Sequence, residues 1–244
     1  MNDRAGTGSL GIRFDADDLA GQAPPAAVRY LTHAIRPGAL LPRVAHVRFH
    51  GRLRLRPGRP WLAFRATETI VVNNGFEFQA RAWLGPLPVT TQDRYTAGHG
   101  ASQIRLLGLL PIVTRHGADI DQAMRSRLVV ESVWLPSAFV PANGAHWTQE
   151  GDAVRVAVPV HGELVRARLD LGPAGELQAM RLDRWSDLTD DQTYGPIPFE
   201  SCIENERTFG DLTIPSELHA TWWAGTDRAF RFFEAAVDDA SFTA

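Results

Sequence analysis

The stretch VVESVWLPSAFVP, residues 129–141, places one carboxylate, Glu131, in apolar surroundings. A buried carboxylate is costly, so Glu131 needs a partner, a raised pKa or a task. The overlapping segment DIDQAMRSRLVVESVW reads as a helix with Asp119 as its N-cap. At about 100° per residue, Ile120, Met124, Leu128 and Glu131 fall within an arc of about 80°, with Arg127 at its edge. Two structural roles are open to Glu131: an i, i+4 pair with Arg127, or hydrogen bonds from a strand arginine. The functional alternative is a carboxylate facing a cavity and able to move a proton.

Asp93 and Tyr95 come next. In TTQDRYTAGHG they share one strand face with Thr91, while Arg94 points the other way. On a concave face, acid and phenol would enter a cavity together, to orient a polar head or act as acid and base. On a packed face they would form a Tyr–Asp network within the sheet. His99, between two glycines, would sit on a loop near a cavity mouth or be an ordinary loop histidine. The candidate catalytic set is therefore Glu131, Asp93, Tyr95 and His99. The candidate ligand contacts are Trp134, Trp83, Arg94, Tyr95 and Glu131. Of seven tryptophans, Trp134 is the one assigned to a pocket wall, and the others suit a sheet core. His33 lies about one turn from Arg29 on an earlier helix and is expected to be exposed.

Composition excludes several chemistries. All 25 basic residues are arginine, so no lysine is present for a Schiff base or a Walker phosphate loop. Arginine is no substitute, because its guanidinium stays protonated. Cys202 is the only cysteine, which rules out an intrachain disulfide and a thiolate-rich metal site. The eight histidines show no metal-binding spacing, and neither a GxSxG elbow nor a GxGxxG fingerprint occurs. No metal or cofactor is expected. A net charge of −3 gives no general case for nucleic acid. There is no apolar signal core and no run of about 20 apolar residues, so a cytoplasmic chain without integral membrane association is expected. Oligomeric state is not legible.

The elements that must position these residues are mostly strands. Residues 1–22 read as a flexible arm, followed by one domain over 23–244. After Pro24-Pro25, AAVRYLTHAIRPG places Val28, Leu31 and Ile35 on one helical stripe that Pro37-Gly38 ends. VRFHGRLRLR alternates strictly, with Arg48, His50, Arg52, Arg54 and Arg56 on a basic face. Glu68 and Glu77 on neighbouring strands are expected to pair with that arginine ladder. WLAFRATETIVV runs into the hairpin signal Asn73-Asn74-Gly75. FEFQARAWLG, PVTTQDRYTAG and ASQIRLLGLLPIV continue a meander. Further strands follow the second helix, and DRAFRFFEAAVDDASF is ambiguous between helix and strand. About ten strands with two helices predict a mainly β (α+β) fold. It would be a large curved antiparallel sheet forming an unclosed half-barrel around the helices, with room for a ligand between them.

APPAAVRYLTHAI, QDRYTAGHGASQIRLLGLLPIV, VVESVWLPSAF and GDLTIPSELHATWWAG, in that order, resemble an uncharacterised bacterial family common in actinobacteria. The resemblance spans roughly residues 24 to 240 and implies a layout similar to the lipoprotein carriers of LolA/LppX type. There a half-barrel shelters a lipid or other apolar ligand. It carries no catalytic residues over. Three function classes stand: a binder of an apolar or amphiphilic small molecule, a cofactor-free cyclase, isomerase or hydrolase in the same cavity, and a partner-binding module.

Overall fold

In a computed structural model that describes residues 11–244, the chain folds into one thirteen-stranded antiparallel sheet. The first meander is β1 (Val44–Leu53), β2 (Leu62–Val71), β3 (Gly75–Leu84), β4 (Leu87–Thr96), β5 (His99–Leu106) and β6 (Leu110–His116). The second is β7 (His146–Glu150), β8 (Ala153–Val160), β9 (Glu163–Leu171), β10 (Leu177–Ser186), β11 (Gly195–Phe209), β12 (Leu212–Trp222) and β13 (Phe230–Thr243). The two meet where β1 pairs with β13, so the sheet runs β6-β5-β4-β3-β2-β1-β13-β12-β11-β10-β9-β8-β7 and its ends do not pair. It is an unclosed half-barrel. Strict alternation explains its two faces: on β1, Val47 and Phe49 are buried while Arg48 and His50 are exposed.

Helix α1 is Pro25–Ala34, and α2 is Ala118–Glu131, the segment that leads from β6 back toward β7. α2 lies on the inner face against β5 on one side and β10 on the other. Gly100 lets it approach: a Cβ there would stand 2.7 Å from the Ile120 carbonyl oxygen and 2.9 Å from Met124 Cγ. Three short 3₁₀ turns between residues 132 and 143 continue from α2 and bury Trp134 and Phe139. None of the described helices is long and apolar enough to cross a membrane.

Several expectations need correction. The strands number thirteen because ASQIRLLGLLPIV is a hairpin, turning through Leu107 and Gly108 at positive φ, and because the tail is strand β13. α2 starts two residues early, with Gly117 as N-cap, and Asp119 instead accepts the Trp185 indole N–H at 2.9 Å. Ile35 is already extended and bridges to Leu212, so α1 ends before Pro37. Of the arm expected over 1–22, residues 1–10 lie outside the described residues. The remainder is docked: Phe14 and Leu19 are buried, and the Phe14 N–H donates to the Ala39 carbonyl. His33 is half-buried and hydrogen-bonded to Glu206 at 2.6 Å.

The arginine ladder pairs toward β13 rather than β2. Arg48 meets Asp239, His50 meets Asp238 and Arg52 meets Glu234. Glu68 cannot take part, because it faces the other side of the sheet. Trp61 packs under the guanidinium groups of both Arg52 and Arg54, an aromatic on the basic face that the alternation of β1 alone does not show. A groove of about 760 Å³ also opens on this outer face, lined by Arg65, Arg81, Arg105, Gln79, Gln92 and Gln103.

Candidate functional site

Register aligns the inner face into rows that cross the strands. One row is Val47–Glu68–Phe78–Asp93–Ser102–Arg115, each residue opposite the next on the neighbouring strand. It is the polar row. The adjacent rows are apolar: Phe49–Ala66–Ala80–Thr91–Ile104 and, beyond it, Phe64–Ala82–Val89–Leu106. Phase dictates this, since every second residue of each strand points inward and the strands pair without slippage from β1 to β5.

α2 covers the polar row. Arg127 reaches down between two carboxylates: its Nη1 donates to Asp93 at 2.5 Å and its Nε to Glu131 at 2.8 Å. Its guanidinium also lies over the rings of Phe76 and Phe78, at 4.9 and 4.6 Å. Ser102 donates to the other Asp93 oxygen at 2.6 Å. The side chains of Arg127, Asp93 and Glu131 retain only 14 %, 11 % and 15 % exposure, so the i, i+4 pair is nearly desolvated and Asp93 supplies the second negative charge.

Glu68 completes the cluster. It is buried, and neither carboxyl oxygen meets an N–H or O–H donor among the described residues. Among its charged neighbours, Glu131 acts on it most strongly. Burial first, then the charge of Glu131, pushes the Glu68 pKa well up, against the pull of Arg127. Glu68 is thereby biased toward its neutral, protonated form. The result is a chain of hydrogen bonds from Glu131 through Arg127 to Asp93 and Ser102, with Glu68 buried in the same row as Asp93.

Beside this cluster the inner face is left partly open. Ala82, Val89, Thr91, Ile104 and Leu106 are half-buried, whereas Ala66 and Ala80, nearer the centre, are buried. An aromatic strip continues from them across the sheet: Phe64 stacks on Phe233 at 5.2 Å, which meets Phe232, and Phe232 leads to Trp222 and Phe199. At that end stands Arg184 of β10, its guanidinium over Phe199 and Trp222 at 4.8 and 4.9 Å.

The candidates from sequence are thus distributed unevenly. Glu131 and Asp93 are brought together through Arg127. Tyr95 is fully buried one row away, with Arg125 Nε donating to its hydroxyl at 3.4 Å and His161 against the ring edge. His99 is exposed, 3.5 Å from Asp121, and is not part of the cluster. Arg94 is exposed on the outer face, opposite Glu77 in register. Trp83 is 40 % exposed near the end of β3. Trp134 is buried in the core, its ring tilted against Phe49 at 4.8 Å and its indole N–H donating to the Pro215 carbonyl.

Glu68 and Arg184 are the residues that sequence reasoning passed over. A signal existed for both. Phe64, Ala66 and Ile70 set the inward phase of β2 and put Glu68 on it, and Met180 and Leu182 do the same for Arg184. Among the described residues, no group of three or more His, Cys, Asp or Glu is placed to hold a metal ion.

Crystal structures with a similar course of the chain include a putative outer membrane lipoprotein-sorting protein domain from Vibrio parahaemolyticus. It is 9 % identical over 82 % of this chain and 85 % of that one, with a TM-score of 0.47. A LolA superfamily protein from Nitrosomonas europaea is 10 % identical over 91 % and 94 %, with a TM-score of 0.45. A DUF1329 family protein from Desulfovibrio piger is 8 % identical over 82 % and 86 %, again at 0.45. No curated protein sequence matches this chain. The model of the family of unknown function DUF6544 matches residues 13–235, and the chain belongs to that family.

Proposed function

We propose that the protein binds an apolar or amphiphilic small molecule on the open part of its inner face. One observation carries this reading: the half-buried apolar rows of β3–β5 run directly alongside a desolvated polar row. Apolar walls with a few convergent polar groups are the usual make-up of a small-molecule site. Ala82 and Val89, half-buried in these rows, would seat a hydrocarbon chain against the sheet, and Phe64 and Phe233 continue the apolar surface toward β13. Polar side chains at the end of the seat would orient the polar end. This function needs no cofactor.

Titration with a fluorescent polyene fatty acid tests the reading. Saturable binding of one probe per chain, lost on Leu106→Asp with the fold retained, supports it. Unsaturable partitioning, or binding indifferent to Leu106, rejects it.

The buried carboxyl of Glu68, its pKa well raised, favours a second reading, a cofactor-free cyclase, isomerase or hydrolase acting in the same place. Glu131→Gln separates the two. A binder keeps its affinity, whereas an enzyme loses turnover by about two to four orders of magnitude.

A further inference from the structure

The molecule holds two arginines in the same kind of cage, each with its guanidinium over two aromatic rings. Arg127 is saturated by Asp93 and Glu131. Arg184 has no acidic partner within 4 Å among the described residues, and its Nε is shielded from water with no hydrogen-bond acceptor. A guanidinium donates through five N–H groups in a planar fork that matches a carboxylate or phosphate, so a half-buried arginine with an unpartnered, shielded Nε is an incomplete ion pair.

We infer that Arg184 is the receptor for an anionic head group, so that the ligand of the inner face is an anionic amphiphile carrying a carboxylate or phosphate. This rests on the amphiphile-binding reading above and adds the charge of the ligand to it. The aromatic strip from Phe64 through Phe233 and Phe232 to Trp222 connects the apolar seat to the guanidinium, so a tail and a head can be satisfied by one continuous surface. Electrostatics agrees with the geometry. Burial first, then the positive charge of Arg127, pulls the Arg184 pKa down to about 9, while Glu131 and Asp93 oppose this more weakly. The guanidinium is still charged at neutral pH, and a bound anion would relieve both penalties.

The experiment compares oleate with oleyl alcohol, which share a chain and differ in head charge, on the wild-type protein, Arg184→Leu and Arg184→Lys. Circular dichroism and thermal melts confirm that each variant is folded. Wild type should bind oleate at least about tenfold more tightly than the alcohol, the worth of charge-assisted hydrogen bonds to a desolvated guanidinium. Arg184→Leu should erase that preference through loss of oleate affinity alone, and Arg184→Lys should restore part of it. Dodecyl phosphate set against dodecanol then tells a phosphate head from a carboxylate one. Equal affinity of wild type for oleate and oleyl alcohol, or a preference that survives in Arg184→Leu, overturns the role of Arg184 and leaves the binding seat standing. Binding of neither probe overturns the seat and this inference together.

Discussion

Glu68 of β2 is buried without a hydrogen-bond partner on either carboxyl oxygen, and the charge of Glu131 at the end of α2 adds to burial in pushing its pKa well up. The Glu68 pKa is raised in the folded protein, so the folded state holds a proton that the unfolded chain gives up at about pH 4.3. That contribution is complete below the unfolded value and is lost as pH rises through the folded one. Glu68→Gln keeps the size and polarity of the side chain without the titration. Relative to wild type, it should gain stability steadily as pH increases above about 5. Urea midpoints at pH 5 and pH 8 check this; parallel pH dependences in the two proteins would refute it.

Arg127 neutralises two carboxylates that have almost no water. Arg127→Met should cost about 3–5 kcal/mol, because it leaves Asp93 and Glu131 facing each other uncompensated. The triple variant Arg127→Met/Asp93→Asn/Glu131→Gln should recover most of the loss. Chemical denaturation of the two variants decides it, and failure of the triple variant to recover would show that Arg127 acts mainly through its packing on Phe76 and Phe78.

Gly100 sets how closely α2 sits on the sheet. Gly100→Ala pushes a methyl group against the Ile120 backbone, which cannot yield as a flexible side chain would. The expected loss is about 1–3 kcal/mol, typical of overpacking in a tight core. Hydrogen exchange should report it first in α2 and β5; a wild-type exchange pattern would mean that the helix docks independently of this contact.

Filling the apolar rows should remove binding while sparing the fold. Ala82→Trp places a large ring on a half-buried position, so stability should change by less than about 1.5 kcal/mol. Polyene probe affinity should fall at least tenfold, an effect of about 1.4 kcal/mol. Unchanged affinity would move the seat elsewhere on the inner face.

The architecture was legible because alternation reports which side of a strand is covered. VRFHGRLRLR and FEFQARAWLG state their faces outright, and Asn73-Asn74-Gly75 fixes one hairpin. The anomaly at Glu131 was equally visible, since a carboxylate on an apolar helical stripe has few options. Its partner on the sheet was not. Asp93 and Glu68 share a row only through the register of two strand pairs, and register is a property of the pairing rather than of either strand. Glu68 was assigned to the arginine ladder by charge complementarity, although the phase of Phe64, Ala66 and Ile70 already pointed it inward. Arg184 was hidden by its own commonness, as one of 25 arginines with nothing nearby in sequence to mark it.

The central seam between β1 and β13 has a consequence for biosynthesis. Partners such as Arg48 and Asp239 are separated by 191 positions, so β1 must wait for nearly the whole chain before it acquires its neighbour. Closing so long a loop costs entropy before any contact repays it, and pairings of this span slow folding. While the ribosome is still working, the first meander therefore carries a bare edge in what will become the middle of the sheet. Nascent chains of this protein are most vulnerable to mispairing there, and a chaperone engaged during translation would find its most persistent target along β1.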